Sequence, residues 1–553
     1  MSSARLALPP PEEPVLEMDE IQGIVVPGFF KPHQTLVYIR IPESREVLNH
    51  FKTLLRSLAD EISTAQQTLD DRREHRKAAR DKGATTESAT KKTVLVAIGF
   101  SSAGLGRLTP GAAEIASDAF QAGLTARSAL LGDPTTPGTE GHPTTWKVGG
   151  PGKELDAMLV VAGTDRKAVT SRAGALRARL EQARVAVDTQ LGDIRPDMPG
   201  HEQFGFDDGV SQPGIRGRAS SKAGDFITER YVSPAQSPES WLYGYPGQDL
   251  VWPGEFVLGY PSTSPDPYLP GPNSSLEPAW TRNGSFLVYR RLRQRVVLFW
   301  RTMEEQAEKL QALPGFDAAS AEWLAARLVG RWPSGAPVSR VPQADNAKLG
   351  SDRLANNYFL FDSPSTALKL VHGRDSYLQA KADPVGTTCP LAAHIRKVNT
   401  RDSSSDMGAR SSTYDRRILR VGVPFGKPLE LMPPKKRSES GGKSELWDYA
   451  LRNDPEKGNR GLLFLSIQSS IEDQFEFLQA RWINDDSRPK MPGGNDMIVG
   501  QNAATADGVR RCAIFGSGLE QARIDAVRQW VIPTGGGYFF VPSISALRNV
   551  IAA

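Results

Sequence analysis

Cysteine is nearly absent from this chain of 553 residues, which holds only Cys389 and Cys512. Two thiols cannot build a disulfide framework or a cysteine-rich metal site. Histidine is scarce too: His33, His50, His75, His142, His201, His372 and His394 are all there is. None forms an HExxH or other close pair, which counts against a zinc hydrolase. No apolar run approaches the ~20 residues that span a bilayer; Thr93–Phe100 and Gly461–Ile467 are of strand length. The opening MSSARLALPPPEEPVLEM has no apolar leader core and no twin arginine, so a cytoplasmic protein without membrane partners is expected. Charge of one sign is also missing. The 67 basic and 63 acidic residues leave a net +4, which argues against a nucleic-acid binder. Neither a Walker sequence nor a GxGxxG loop occurs, so nucleotide binding has no support.

What is present is enough for a large folded protein. Apolar residues make up 39% and aromatics 8%, ample for a core. At about 150 residues per domain the length suggests three or four units. Residues 1–18 read as a flexible, proline-rich tail. LVYIRI (36–41) alternates as a strand, and Val47, Phe51, Leu54, Leu55 and Leu58 recur at helical steps in a helix running from Ser44 to about Lys82. TVLVAIGF (93–100) and ELDAMLVVAG (154–163) read as strands, with helical stretches after each and another strand near 185–190. This strand–helix–strand–strand–helix–strand rhythm points to an α+β unit of ferredoxin-like kind.

The segment 195–280 is rich in glycine and proline and resists regular structure. NGSFLVYRRLRQRVVLFWRTMEEQAEKL (283–310) restarts with a strand and a helix. Strands follow at 417–426 and 461–468, and a helix at 471–483. KKRSESGGKSE (435–445) reads as an exposed insertion. The expected organisation is a tail (1–18), an N-terminal ferredoxin-like domain (19–200) and a second ferredoxin-like domain with long loops (201–553). Antiparallel sheets with peripheral helices are expected in both.

Few groups here can carry chemistry. His394 lies in CPLAAHIRKVNTRD, where Pro390 suits the first turn of a short helix. Taken alone, such a histidine is more often structural than a ligand. A Cys389–Pro390 pair can bind haem through its thiolate, although most Cys-Pro pairs are incidental. FGFDDGVSQPGIRG (204–217) places Asp207 and Asp208 before a glycine. It reads either as a solvated Asp-Gly turn or as a carboxylate fixed beside a ligand, since Gly205 and Gly209 permit close backbone approach. Arg420, in RRILRVGVPFG, is either a solvent-facing arginine or a permanent cation in a pocket.

Several of these segments, in order, resemble the dye-decolorising peroxidases, haem proteins of two ferredoxin-like domains. GFDDG matches their GxxDG motif, and the likeness continues through NGSFLVYRRLRQ, AAHIRKVN, RILRVGVPFG and RGLLFLSIQSSIEDQFEFLQARW. IQGIVVPGFFKPHQ and the stretch 132–152 look like the longer members, so the resemblance covers most of the chain from about residue 20. Thr400, where proline is frequent, and the 435–445 insertion depart from the pattern.

The resemblance implies one haem b per chain, with His394 as proximal ligand of the iron. It implies Asp208 as the distal base and Arg420 as the distal cation. Leu462 and Phe464 would form an apolar distal wall. Glu472, or less well Asp473, would accept the N–H of His394, and Arg396 would contact a haem propionate. These four polar roles suit a peroxidase. An imidazole holds the iron and leaves the opposite side open, and a carboxylate behind it favours high-valent iron. A base relays the peroxide proton, and a cation stabilises charge as the O–O bond breaks. The implied partners are hydrogen peroxide and organic electron donors such as dyes and phenols. A haem carrier or iron-releasing protein with little turnover is the alternative.

Overall fold

The computed structural model describes residues 12–81, 93–231, 241–275, 277–364, 380–429, 458–491, 493–501, 511–517, 520–526 and 528–553. The rhythm of the first 200 residues is realised as β1 (His33–Arg40), α1 (Arg45–Ala59), α2 (Ala65–Asp81), β2 (Val94–Phe100), α3 (Asp118–Arg127), β3 (Ala157–Gly163), α4 (Arg166–Gln182) and β4 (Ala186–Asp193). The single helix expected over 44–82 is thus two. Val47, Phe51, Leu55 and Leu58 bury one face of α1. The chain then breaks because Ser63 turns to β2: its N–H donates to Val96 O (2.8 Å) and its hydroxyl accepts from Val96 N (3.0 Å).

The second half repeats the order with β5 (Ser285–Gln294), α5 (Val296–Gln311), β6 (Leu419–Phe425), β7 (Gly461–Gln468) and β8 (Val531–Val541). Between β7 and β8 the expected helix over 471–483 is wound as two wider π-type turns, Ile471–Glu476 and Leu478–Ile483. Strand β8 went unread in the sequence because three glycines interrupt VIPTGGGYFFV. They mark a bulge between Pro533 and Gly536, where a Cβ on Gly536 would collide with the carbonyl of Tyr289.

All eight strands form one sheet in the order β6-β7-β5-β8-β2-β3-β1-β4. Each half has the strand order of a ferredoxin-like unit, β4-β1-β3-β2 and β8-β5-β7-β6, with antiparallel neighbours. The halves join where Phe540 of β8 pairs with Phe100 of β2. At the far edges, β4 meets β6: a Cβ on Gly192 would lie 2.8 Å from Val423 Cγ1. The sheet therefore curls until its ends face each other.

Both faces of the sheet are covered. Val37 and Ile39 join one apolar cluster with α1 and α4, while Leu36 and Tyr38 join another on the opposite face. The two-residue period accounts for the near-continuous apolar runs in these strands. Each fully buried aliphatic or aromatic side chain contributes roughly 1.5–3 kcal/mol of apolar transfer. The 195–280 segment carries only short pairings, Gly214–Ile215 with Leu250–Val251 and Pro261–Thr263 with Pro270–Asn273.

One expectation at the N-terminus needs correction. Residues 12–18 are not a free tail, since Leu16 and Met18 are buried and Glu13 sits between Arg230 (2.7 Å) and Arg216 (3.5 Å). The 435–445 insertion lies outside the described residues. Among the described residues no helix is long and apolar enough to cross a membrane.

Candidate functional site

Register places one face of the second half-sheet against a cavity. Gly422 of β6 pairs with Phe464 of β7, and Leu462 and Phe464 pair with Leu292 and Arg290 of β5. Being two apart on their strands, Arg420 and Gly422, Leu462 and Phe464, and Arg290 and Leu292 point the same way. Arg420, Leu462, Phe464, Arg290 and Leu292 line a cavity of ≈ 1960 Å³ of empty space, its mouth included, together with Asp208 and His394.

Asp208 reaches this cavity from a tight loop. Gly205 and Gly209 have φ of +100° and +85°, conformations that glycine adopts without the strain other residues meet. Asp208 N donates to Gly200 O (3.0 Å), and Arg420 Nη1 donates to Asp208 Oδ1 (2.6 Å). Gln212 ties the same loop to the edge strand: its amide donates to Arg420 O (2.7 Å) and its Oε1 accepts from Arg420 N (3.3 Å). Burial pushes the Asp208 carboxyl up. The charge and hydrogen bond of Arg420, with the N–H of Gly209, act against it, and the pKa lies below the usual carboxylate value. Adjacent Asp207 behaves oppositely, raised by burial and by Asp208.

His394 opens a short helix, α6 (His394–Val398). Its Nδ1–H donates to Asp496 Oδ2 at 2.7 Å. Asp496 is fully buried, and its Oδ1 accepts from Ile498 N (2.9 Å) and Val499 N (3.2 Å). A carboxylate so held fixes the ring in the tautomer that leaves Nε2 with its lone pair. Nε2 has no hydrogen-bond partner among the described residues, and the ring belongs to the cavity wall.

Two sequence expectations fail here. Neither Glu472 nor Asp473 stands behind His394. Glu472 Oε1 accepts from Ser117 Oγ (2.8 Å) and Ala119 N (2.7 Å), so it caps the positive N-terminus of α3. Asp473 pairs with Arg416 (3.0 Å) and accepts from Ser470 Oγ (3.1 Å). Arg396 also misses the cavity. Two residues on along a helix turn the side chain about 200° away, and Arg396 donates instead to Cys389 O (2.9 Å) and Asp383 O (2.8 Å) while lying over Phe361. Cys389 is buried, with its thiol pushed up to about 12 by desolvation, so it stays protonated.

Four buried cations line the cavity: Arg290 and Arg417, paired with Asp133 and Asp249, and Arg331 and Arg401, which were unread in the sequence. Arg331 donates to the carbonyls of Gly335 and Asn356 (both 2.7 Å), and Arg401 to those of Asn357 (3.1 Å) and Phe359 (2.9 Å). Neither has a carboxylate within ion-pair distance among the described residues. Burial lowers them to about 10 and about 9, which leaves both charged at neutral pH. Asp496 carried only a faint signal, an acidic residue set into the apolar run Met497–Val499. Arg331 and Arg401 carried none.

The donor set suits haem: an oriented imidazole nitrogen, apolar walls, and two buried guanidinium groups for anionic side arms. A family described as the DyP dimeric alpha+beta barrel domain matches residues 20–196. An ancestral D-type dye-decolorizing peroxidase structure is 32% identical, covers 98% of this chain and all of its own, and superposes with a TM-score of 0.71. A dye-decolorizing peroxidase in complex with 2,6-dimethoxyphenol is 26% identical over 98% of this chain and 100% of its own, with a TM-score of 0.66. The dye-decolorizing peroxidase AauDyP1 of Auricularia auricula-judae is 28% identical over 97% of this chain and 87% of its own length.

Proposed function

We propose, from the premise that this chain belongs to the dye-decolorising peroxidase family, that the His394–Asp208–Arg420 cavity holds one haem b and is where peroxide reacts. The chain is an oxidoreductase that acts on peroxide and oxidises organic donors, dyes and phenols among them. The observation that carries the site assignment is a single cavity lined both by His394, which the buried Asp496 holds, and by the paired Asp208 and Arg420.

In this reading His394 Nε2 ligates the iron, and Asp496 makes the imidazole a stronger donor by accepting its Nδ1 proton. Arg331 and Arg401 hold the propionates. When bound, haem supplies an iron centre that accepts oxidising equivalents from peroxide and returns them one at a time to donors. Asp208 takes a proton from peroxide on one carboxylate oxygen and delivers it to the departing oxygen. Arg420 fixes that carboxylate and offers positive charge where charge develops. Leu462 and Phe464 keep bulk water off this side.

An absorption spectrum of haem-supplied protein, before and after one equivalent of peroxide, tests this. The expected result is a Soret band that His394→Ala abolishes or shifts. Asp208→Asn and Arg420→Leu should keep the band and slow its response to peroxide by about 10²–10⁴-fold. A Soret band unchanged in His394→Ala would overturn the ligand assignment. An intact band indifferent to peroxide in the parent would favour a haem carrier.

A further inference from the structure

A second cavity, ≈ 1600 Å³ of empty space with its mouth, lies beside the first and shares the wall from Asp207 to Pro213. One part of its wall is cationic. Helix α2 contributes Arg72, Arg73 and Arg76, and Arg353 comes from the loop after residues 347–351. Arg73 is answered by Asp225 and Arg76 by Glu229, each at 2.7 Å. Arg72 and Arg353 have no carboxylate in ion-pair distance among the described residues. Each lies instead on an aromatic face, Arg72 over Phe30 at 5.3 Å and Arg353 over Tyr245 at 4.9 Å.

Four guanidinium groups thus stand with two carboxylates, Asp225 and Glu229, and the excess positive charge is poorly compensated. Burial and repulsion from Arg76 and Arg353 push Arg72 down to about 10, so it remains a cation at neutral pH. The wall shared with the first cavity has the opposite character, because Asp207 and Asp208 stand there. An anion is favoured beside the arginines and disfavoured beside the shared wall. Phe30 and Tyr245 line the cleft as well, and with Val210 and Pro213 of the shared wall they give it apolar surface for a flat ring.

We propose that this cleft binds an aryl carboxylate, its carboxylate on Arg72 and Arg353 and its ring directed toward the wall shared with the first cavity, as an electron donor for the peroxidase reaction. The oxidation of such a donor rests on the peroxidase reading above; its binding does not. With a phenolic ring the balance is two donors per peroxide. Each phenol loses one electron and its O–H proton and leaves as a phenoxyl radical, and H₂O₂ takes up two electrons and two protons to become two waters.

Calorimetric titration of the haem-loaded protein without peroxide tests the site, using three ligands that share one ring: hydroxyphenylpropanoate, hydroxyphenylpropanol and tyramine. The anion should bind at least about tenfold more tightly than the alcohol or the amine. Arg72→Gln and Arg353→Gln should each weaken it roughly tenfold, the scale of one charge-assisted contact, with the other two ligands unaffected. In turnover the same variants should raise KM for the propanoate and leave kcat and the response to peroxide unchanged. Equal affinity for the three ligands, or an anion affinity unmoved in the exposed Arg353→Gln variant, would overturn the site. Charge-selective binding without oxidation of any donor would leave the site standing and sink the peroxidase reading. Oxidation of all three without charge selectivity would do the reverse.

Discussion

His394 Nδ1 lies 2.7 Å from Asp496 Oδ2, and the other oxygen of that fully buried carboxylate is occupied by the N–H groups of Ile498 and Val499. The histidine is thus oriented by a group that cannot rotate away. Asp496→Asn should keep the ring in place and weaken its donation. The expected outcome is retained haem, an iron reduction potential shifted upward, and turnover lowered about 10–100-fold. Spectroelectrochemical titration reads the potential; an unchanged value would mean that Asp496 only packs.

Glu472 provides the contrast. It accepts from Ser117 Oγ and Ala119 N at the start of α3. Glu472→Gln should cost about 1 kcal/mol of stability through the weakened cap, measured by urea unfolding. The Soret band and reduction potential should not move.

The pH profile follows from Asp208. Its folded pKa lies below the ordinary carboxylate value, since the charge and hydrogen bond of Arg420 and the N–H of Gly209 act against burial. The basic form therefore survives below the reference of about 3.9. Turnover should persist through mild acid and fall only as pH drops through the lowered value. The pairing stabilises the fold above the unfolded pKa, and that contribution is lost as pH falls through the folded one. Arg420→Leu removes the main lowering partner and should move the acid limb to higher pH. A parental profile that collapses near pH 6 would point to a histidine-like base.

Gly422 pairs with Phe464 across the β6–β7 ladder, and a Cβ there would overlap Asp208 Oδ2 and come within 3.1 Å of Leu462. Gly422→Ala should push the carboxylate off Arg420 and slow the peroxide reaction by about a hundredfold, the cost of misplacing a reacting group by about 1 Å. Haem should still bind through His394. Stopped-flow mixing with peroxide decides it, and a parental rate would show that the loop yields freely.

The elements read from periodicity were those whose burial is local. Gly461–Gln468 matched a β-branched and apolar run, and Val47, Phe51 and Leu58 marked α1. The split between α1 and α2 was invisible because it depends on Ser63 meeting Val96 of another strand. Strand β8 was hidden by glycines whose need appears only where its backbone passes Tyr289. In the site, Asp208 and Arg420 stood in short motifs, and the structure pairs them at 2.6 Å. Arg396 and Glu472 stood in motifs as well and went elsewhere, since neighbourhood along the chain does not set which way a side chain faces.

The sequence by itself determined one run of strand–helix–strand–strand–helix–strand and a second lacking its last strand, the scarcity of alternative metal ligands, and the local segments bearing His394, Asp208 and Arg420. Local periodicity and turn chemistry suffice for those, because each rests on residues a few positions apart. Only the tertiary structure decided that the two runs share one curled sheet, that Asp496 rather than Glu472 stands behind His394, and that Arg331 and Arg401 enter the cavity. Those depend on contacts between segments far apart in the chain, 102 positions in the case of His394 and Asp496, where burial and geometry select one carboxylate among many of the same charge.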